Sequence, residues 1–461
     1  MENKSTLPTV SHGERDHEID RTGNRYIDGS GGPAVVCLGH SHPTVNEAIK
    51  RITATLLAAM LIGIAISSTS QAEQGGRLKN LNLESFQFGP ANRWTFSHMR
   101  EVLPTVNIPR DPEGFLPLAN SAELASDFSL AFQGSDQTID EIVGHQYIDG
   151  LLILKNGEIV FEKYYGHLTQ DLPHLMNSVT KSVVGLVAGK LADQGVIDLN
   201  KPVSHFVPEL ADSGWGPDSL RLLLDMRDGS DYTEDYEDFE SSFRLQDCAI
   251  GWTDADYCPV DGPTGLDTFL VSIPRDEEKL GKFSYRSGST DVLGWVLEAA
   301  TGQALAELIS EHIWKPMGAE FDANITVDAG GLVLADHGMS STLRDLGRVG
   351  LLVLNGGMAF GKQVVPAAFI EDIFAQDGDP EWPYEASDGY EPYYRSFWWG
   401  EGNPGGDISG YGIHGQFVRV VPESQLVIAM YSTWPRADGD SVTHGWEQTE
   451  ELMESLISEF D

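Results

Sequence analysis

Ser178 and Lys181 stand three residues apart in MNSVTKS, residues 176–182, just before an apolar pattern that repeats at helical spacing and ends near Gly195. Residues three apart on a helix share a face, so the spacing predicts a hydroxyl and an amine side by side at a helix start. A serine becomes a nucleophile when a neighbouring base removes its proton, and burial with the positive end of the helix dipole favours the neutral amine. The free N–H groups of the same helix start could stabilise an oxyanion.

The same spacing also has an ordinary interpretation. Serine is a favoured N-cap and lysine is a common helix residue, so S-x-x-K alone does not separate a reaction centre from a helix start. Other hydrolase templates find no support, because the chain contains no G-x-S-x-G and its 13 histidines have no triad context.

Two hairpins and a terminal helix are expected to frame this site. LLILKNGEIVFEKYY, residues 151–165, holds two apolar-rich segments around Asn156-Gly157, a pair that accepts the positive φ angles of a tight primed turn. FVRVV and LVIAMYS form a second pair joined by residues 422–425, and residues 445–460 carry apolar side chains at helical spacing. Strands at both ends with helix-rich sequence between them predict an α/β (α+β) fold, in which an antiparallel sheet is flanked by helices and a helical region is inserted.

A family resemblance extends from the serine and lysine over most of the chain. SVTK and the following VVGLVAGKLADQGVIDLNKPVSHFVPEL resemble the penicillin-recognising serine hydrolases, which include class C β-lactamases, family VIII esterases and D-alanyl-D-alanine carboxypeptidases. Within that superfamily the chain most resembles the 6-aminohexanoate-dimer hydrolases. The matching segments, in the family's order between residues 86 and 446, are NRWTFSHMREVLP, LLDMRDGSDYTEDYED, YRSGSTDVLGW and GIHGQ. The resemblance implies a β-lactamase/transpeptidase-like fold and an acyl-enzyme on Ser178.

The family pattern implies roles for further residues. Tyr285 falls at the tyrosine that shares protons with the serine and lysine, although Ser287 replaces the asparagine of the family's Tyr-x-Asn motif. The Lys-Thr-Gly motif aligns with Gly410-Tyr411-Gly412, so the cation that holds the carboxylate of a β-lactam is missing. By the same resemblance, the N–H of Ile413 completes an oxyanion hole with that of Ser178.

Aromatic residues and one histidine near these motifs are candidates for a substrate pocket. They are Tyr236, Trp252, Trp398, Trp399 and His414. An aromatic pocket with few charges suits a small linear amide or ester as the partner molecule, and its hydrolysis needs no metal or organic cofactor. We therefore expect a serine hydrolase, an amidase or carboxylesterase of the 6-aminohexanoate-dimer hydrolase kind. The alternatives are a β-lactamase or D-alanyl-D-alanine carboxypeptidase and, from another class, a non-catalytic penicillin-binding-like receptor.

Two N-terminal segments differ from the rest of the chain. Residues 1–49 resemble class III aminotransferases in YIDG and GHSHP, but no cofactor-binding core of that family follows, and we interpret them as a disordered or artefactual fragment. Residues 50–72 combine a basic flank, a short apolar run and small residues, the pattern of a secretory signal. The hydrolase domain is then 73–461. We expect a periplasmic or secreted protein, with membrane anchoring by 50–72 as the alternative.

Charge and cysteine content exclude several kinds of partner. The chain has 70 Asp and Glu against 30 Lys and Arg, a formal net charge of −40, which repels nucleic acid. Three cysteines are too few for a zinc cluster, so no metal site is expected. After export Cys248 and Cys258 would meet an oxidising environment, and their closeness in the chain predicts a disulfide. The natural substrate and the oligomeric state stay open.

Overall fold

A computed structural model describes most of the chain. The described residues are 10–14, 17–20, 25–27, 83, 85–121, 129–375, 382–383, 392–402, 406–437 and 445–460. The chain divides into two compact units, Met1–Lys79 and Asn80–Asp461.

The first unit contributes a small antiparallel sheet. Its strands are β1 (Val10–Glu14), β2 (His17–Asp20) and β3 (Arg25–Ile27), hydrogen-bonded in that order. The GHSHP stretch at 39–43 and the whole signal-like segment 50–72 lie outside the described residues. The interpretations of 1–49 as a disordered or artefactual fragment and of 50–72 as a signal stay predictions.

The described strands of the second unit build two larger sheets and two two-stranded sheets. They are β4 (Thr105–Ile108), β5 (Ser129–Phe132), β6 (Ser135–Thr138), β7 (Ile148–Lys155), β8 (Glu158–Tyr164), β9 (His174–Leu175), β10 (Ala323–Thr326), β11 (Met339–Ser341), β12 (Met358–Ala359), β13 (Lys362–Gln363), β14 (Tyr393–Arg395), β15 (Trp398–Gly400), β16 (Ile408–Gly412), β17 (Gln416–Val421) and β18 (Leu426–Ser432). Seven strands pair antiparallel in the order β14-β15-β16-β17-β18-β7-β8. Four more pair antiparallel in the order β4-β10-β11-β9. The two-stranded sheets are β5-β6 and β12-β13.

Most helices of the second unit lie in sequence between β8 and β14, as the predicted helical insertion requires. The α-helices are α1 (Asn92–Thr95), α2 (Met99–Val102), α3 (Ile139–Gln146), α4 (Val179–Asp193), α5 (Leu220–Leu224), α6 (Ser242–Ile250), α7 (Leu266–Ser272), α8 (Ser287–Thr301), α9 (Leu305–Ile309), α10 (Leu343–Leu354), α11 (Ala367–Ile373) and α12 (Gly445–Phe460). The predicted mixed fold, an antiparallel sheet with helices around it, is confirmed.

Side chains of β18, which lies between β17 and β7 in the large sheet, alternate between two hydrophobic cores. Ile428 and Met430 pack in a core that includes Leu452 of α12. Val427 and Ala429 pack in the other core, with the apolar side chains of α4 and α10. Because successive side chains of a strand point to opposite faces, helices cover both faces of the sheet at β18, and the strand is apolar from Leu426 to Met430.

Both predicted hairpins are present. Lys155 pairs with Glu158 across the tight turn, and Asn156 and Gly157 have φ angles of 53° and 80°. Two positive φ angles match the twist of the strands, which is why asparagine and glycine occupy this turn. The later hairpin joins β17 to β18 through residues 422–425, as expected.

The predicted terminal helix is α12. Its apolar residues, which recur at helical spacing, face the large sheet. Leu452 and Leu456 are buried in the core against β18, and Ile457 and Phe460 are partly buried there. Within the described ranges no single helix has the length and apolarity to span a bilayer. One bent pair, α8 with the helical stretch Leu305–Trp314, passes that test together, with an angle of 84° between its halves.

The disulfide predicted between Cys248 and Cys258 is confirmed, with a Cα–Cα distance of 5.5 Å. Cys248 lies in the last turn of α6, and Cys258 directly follows a short 3₁₀ turn, Ala255–Tyr257. The bond therefore ties the end of α6 to the loop that follows it.

Opening this disulfide is expected to destabilise the fold. Reduction, or Cys258→Ser, should lower the free energy of unfolding by about 2 to 3 kcal/mol, because the unfolded chain regains the freedom of a short closed loop. Urea denaturation with and without reductant measures the difference, and Cys37→Ser, which leaves the bond intact, is the matched control. An unfolding midpoint that does not move on reduction would contradict the prediction.

Candidate active site

Ser178 directly precedes α4 and does not act as its cap. Its backbone is helical, with φ −64° and ψ −10°, and its side chain makes no capping hydrogen bond. A capping serine usually has an extended backbone and accepts a hydrogen bond from the second or third helical amide. The structure therefore rejects the helix-cap interpretation and leaves the hydroxyl for another partner.

That partner is Lys181, one turn along α4. Its Nζ donates a hydrogen bond to Ser178 Oγ at 2.9 Å and a second to the backbone carbonyl oxygen of Asp336, also at 2.9 Å. The lysine side chain is 1% exposed. It is buried because 12 of the 15 residues of α4 are, between the large sheet and the inserted helices. The predicted hydroxyl–amine pair is thus present and shielded from solvent.

Tyr285 joins the pair from the residues just before α8. The Lys181 Nζ lies 5.1 Å from the centroid of the tyrosine ring. Burial raises the pKa of the Tyr285 phenol, and side-chain hydrogen bonds with Ser178 and Lys181 oppose that rise. Trp399 of β15 stacks on the Tyr285 ring, with 5.3 Å between the ring centroids. The three residues expected to do chemistry therefore meet at one point.

The charge of Lys181 differs from the sequence expectation. Burial lowers the pKa of Lys181, but the negative charges of Tyr285, Asp336 and Glu234 together raise it further, so the net direction is upward. Burial also raises the pKa of Tyr285, and the Lys181 ammonium offsets this only in part. Both pKa values are therefore raised, so the pair holds its protons tightly. The expectation of an uncharged resting amine is wrong, because it counted burial and the helix dipole but not the surrounding anions.

Glu234 is a site residue that the sequence analysis missed. Its Oε2 accepts a hydrogen bond from the Ser287 amide at 2.8 Å, and its Oε1 accepts from the Ser287 hydroxyl at 2.7 Å. It therefore caps α8 while its charge raises the pKa of both Lys181 and Tyr285. The signal was visible in DYTEDY, where only Tyr236 was considered.

A buried carboxyl network fixes the carbonyl group that holds Lys181. Asp291 Oδ1 accepts hydrogen bonds from the amides of Ala335 at 2.8 Å and Asp336 at 3.1 Å. Gln246 Nε2 donates to Asp291 Oδ2 at 2.8 Å and to Asp336 Oδ2 at 3.1 Å. Burial and the adjacent Asp336 raise the pKa of Asp291. Despite these carboxyl groups, no cluster of three or more His, Cys, Asp or Glu in the described residues could hold a metal ion.

The two predicted oxyanion donors come from different elements that touch. A Cβ on Gly412 would lie 2.7 Å from the carbonyl oxygen of Met176 and 3.1 Å from the amide nitrogen of Ser178. The peptide that carries the Ile413 N–H therefore passes beside the Ser178 amide, which only glycine at 412 permits. Within the described part of the chain, neither amide donates a hydrogen bond. Both are available to a negative oxygen.

Two of the five pocket candidates stand at this site. Trp399 stacks on Tyr285 as described above. The Tyr236 hydroxyl donates a hydrogen bond to Glu234 Oε1 at 3.1 Å, so the phenol is held beside the reacting groups. Both side chains are partly exposed.

The structure places the other three candidates in the packed interior. Trp398 is 0% exposed, and the buried Trp252 packs edge-on against Phe86, with ring centroids 5.5 Å apart. His414 Nδ1 donates to the carbonyl oxygen of Trp434 at 2.7 Å. Burial lowers the pKa of His414 to about 4, so the ring is neutral and supports the turn after β16.

Known proteins similar to this chain agree on one fold. The beta-lactamase family model matches residues 136–451. The chain is 36% identical to the 6-aminohexanoate-dimer hydrolase of Paenarthrobacter ureafaciens over 359 residues, 77% of this chain and 89% of that enzyme.

Solved structures extend the similarity to three dimensions. A Bacillus anthracis protein provisionally described as a 6-aminohexanoate-dimer hydrolase superimposes with a TM-score of 0.72 at 25% identity, covering 84% of this chain and 99% of its own. A Bacteroides dorei protein provisionally described as a β-lactamase shares the fold, with a TM-score of 0.51 at 18% identity, covering 68% and 96%.

Proposed function

The chain belongs to the beta-lactamase family and is a serine hydrolase of amides or esters, and we propose that it opens a small linear amide or ester through an acyl-enzyme on Ser178. The observation that carries this proposal is the 2.9 Å contact between the buried Lys181 Nζ and Ser178 Oγ. The Ser178 hydroxyl does not cap the helix, and the amine of Lys181 beside it is buried. Such a pair can act as a proton relay.

In the first step Ser178 attacks the substrate. The Lys181–Tyr285 pair must first lose one of its two protons, and the proton-deficient pair then accepts the proton of Ser178 Oγ as this oxygen bonds to the carbonyl carbon. The carbonyl oxygen takes the negative charge and accepts hydrogen bonds from the backbone N–H groups of Ser178 and Ile413. Each such donor is worth about 3 kcal/mol of barrier.

In the second step the tetrahedral intermediate breaks. The bond from carbon to the leaving nitrogen or oxygen cleaves, and the phenol of Tyr285 returns the proton to the leaving group. Water then attacks the acyl-enzyme and gives one proton to the pair. The bond from carbon to Ser178 Oγ breaks, the pair returns that proton to Oγ, and the acid is released. The ring of Tyr285 is fixed for both transfers by its stack on Trp399.

The substrate class follows from the surroundings and from the relative. Trp399 and Tyr236 flank the reacting groups, and their aromatic rings suit a linear aliphatic chain. The 36% identical relative is a 6-aminohexanoate-dimer hydrolase, which supports a linear amide.

The β-lactamase and carboxypeptidase alternatives lack a cation on β16. Gly410 occupies the position of the motif lysine, and a Cβ there would lie 3.0 Å from Val418 Cγ1 and 3.1 Å from Ser182 Oγ. A longer side chain at 410 would therefore need its neighbours to move. A receptor without catalysis would have no use for the aligned Ser178, Lys181 and Tyr285.

A panel of three substrates separates these functions. The purified chain and its Ser178→Ala variant are assayed with p-nitrophenyl butyrate, linear 6-aminohexanoate dimer and nitrocefin. We expect turnover of the ester and the dimer, lost in the variant. Turnover of nitrocefin alone would establish the β-lactamase function, and a folded protein inert to all three would establish the receptor.

Activity is expected to rise with pH. Both pKa values of the Lys181–Tyr285 pair are raised, so the proton-deficient form appears only on the alkaline side. Glu234→Gln removes a negative charge that raises both values, and the alkaline limb of kcat/KM should move to lower pH. The pH profile for p-nitrophenyl butyrate measures this. Glu237→Gln is the matched control, because that carboxylate pairs with Arg436 at the surface, and an unmoved limb in Glu234→Gln would contradict the assignment.

We propose, finally, that the protein is exported. The Cys248–Cys258 bond supports this, since such bonds persist in oxidising compartments. Expression of the full chain in a Gram-negative host should give oxidised protein in the periplasm. Reduced protein confined to the cytoplasm would contradict export.

A further inference from the structure

Asn177, the residue before the nucleophile, has a backbone conformation that side chains rarely adopt. Its φ is 46°, and its side chain is 2% exposed. Left-handed conformations are costly for residues other than glycine, and asparagine tolerates them best because its short amide can hydrogen-bond locally. Strain of this kind at the entry to a reactive residue needs a compensating contact.

The compensating contact is long-range rather than local. Asn177 Nδ2 donates a hydrogen bond to the carbonyl oxygen of Ile413 at 2.9 Å, across 236 residues of sequence. Gln416 Nε2 of β17 donates to the same oxygen at 3.3 Å. The Ile413 carbonyl is thus held from two directions, by the start of α4 and by the hairpin that carries it.

This contact joins the two halves of the oxyanion hole. The carbonyl of Asn177 and the N–H of Ser178 belong to one peptide group, so Asn177 is covalently fixed to the first donor. Its side chain is hydrogen-bonded to Ile413, whose N–H is the second donor. The two donors lie on separate elements, α4 and the β16–β17 turn, so their separation depends on such contacts. Misplacement by a fraction of an ångström weakens stabilisation of the negative oxygen.

We propose that Asn177 is a positioning residue that sets the distance between the Ser178 and Ile413 amides. This inference rests on the proposed function, because it assigns a role within the same acyl transfer. Asn177 is buried, and in this role it acts through the backbone of its neighbours. Its loss should therefore affect the transition state more than substrate binding.

Two substitutions separate the hydrogen bond from the backbone strain. Asn177→Asp keeps shape and tolerance of positive φ, but an ionised carboxylate cannot donate and repels the Ile413 carbonyl. Asn177→Gly relieves the strain and removes the donor. If strain alone mattered, the glycine variant would retain activity; if the hydrogen bond matters, both variants lose it. Asn156→Asp is the matched control, because Asn156 also has a positive φ, 53°, but lies in the β7–β8 turn.

The experiment measures kcat and KM for p-nitrophenyl butyrate at alkaline pH, and the affinity for butylboronic acid, whose tetrahedral adduct with serine mimics the intermediate. We expect kcat to fall about 10- to 100-fold in both Asn177 variants, with KM within about threefold of the parent. The boronate affinity should fall in proportion to kcat. A merely structural defect would lower the melting temperature without that proportionality.

The results can overturn the positioning role of Asn177 without overturning the proposed hydrolase function. If both folded variants keep kcat and boronate affinity within about threefold, the positioning role is overturned while the hydrolase stands. If the aspartate variant does not fold, the glycine variant decides alone. If the parent protein neither turns over the ester nor binds the boronate, the proposed function fails and this inference fails with it.

Discussion

Ser178→Ala is expected to lower kcat/KM for p-nitrophenyl butyrate by at least about 10⁴-fold, because the proposed acyl-enzyme forms on the Ser178 hydroxyl. The remaining oxyanion hole and pocket can still accelerate attack by water slightly. The change removes one partly shielded oxygen, so the fold should persist. Steady-state kinetics and a burst-phase assay measure the loss.

A matched control tests whether the loss is specific to this hydroxyl. The control is Ser182→Ala. Ser182 lies one turn along the same buried helix, and its hydroxyl donates a hydrogen bond to the carbonyl oxygen of Phe397 at 2.8 Å. The substitution should reduce stability by about 1 kcal/mol while leaving most activity. An acyl burst that survived in Ser178→Ala would place the nucleophile elsewhere.

Lys181→Met is expected to have the second-largest effect, about 10³- to 10⁴-fold in kcat/KM. Methionine fills the space of the lysine stem but can neither hold nor accept a proton. The Ser178 hydroxyl and the Asp336 carbonyl each lose a hydrogen bond. Activity should lose its alkaline limb, since the titrating pair is gone.

The effects of replacing Ser178 and Lys181 are expected to be non-additive. Ser178 and Lys181 act as one unit, so the double variant should be about as inactive as Ser178→Ala alone. Independent effects that multiplied in the double variant would contradict the proton relay. A folded Lys181→Met enzyme with an unchanged pH profile would do the same.

Local patterns account for the parts of the fold that were predicted. Asn156-Gly157 fixed one hairpin through its positive φ angles, and the spacing of apolar residues fixed α4 and α12. The pair Ser178 and Lys181 was predictable because one helical turn sets its geometry. The position of Tyr285 and Ile413 followed from the family resemblance rather than from any local rule.

The charge state of Lys181 could not be predicted from its neighbours in sequence. Glu234, Tyr285 and Asp336 reach it from three distant segments, and their summed field reverses the effect of burial. The contacts of Gln246 and Asp291 near the Asp336 peptide could not be predicted either, because these residues are distant in sequence and only the fold brings them together.

The pocket residues show a similar limit. Trp398 and Trp399 are neighbours in the chain, but strand geometry sends them to opposite faces, one into the core and one onto Tyr285. Nothing in the sequence distinguishes the two faces. His414 looked like a pocket group, yet its hydrogen bond to Trp434 turns it into support for the turn after β16.

The most direct test of the central claim is the rate and site of labelling by a fluorophosphonate, read by intact mass and peptide mapping. The account predicts one adduct, on Ser178, in the peptide that contains SVTK, with labelling that quickens as pH rises and slows sharply in Lys181→Met. An adduct on any other residue, or equal labelling rates with and without the lysine, would contradict it.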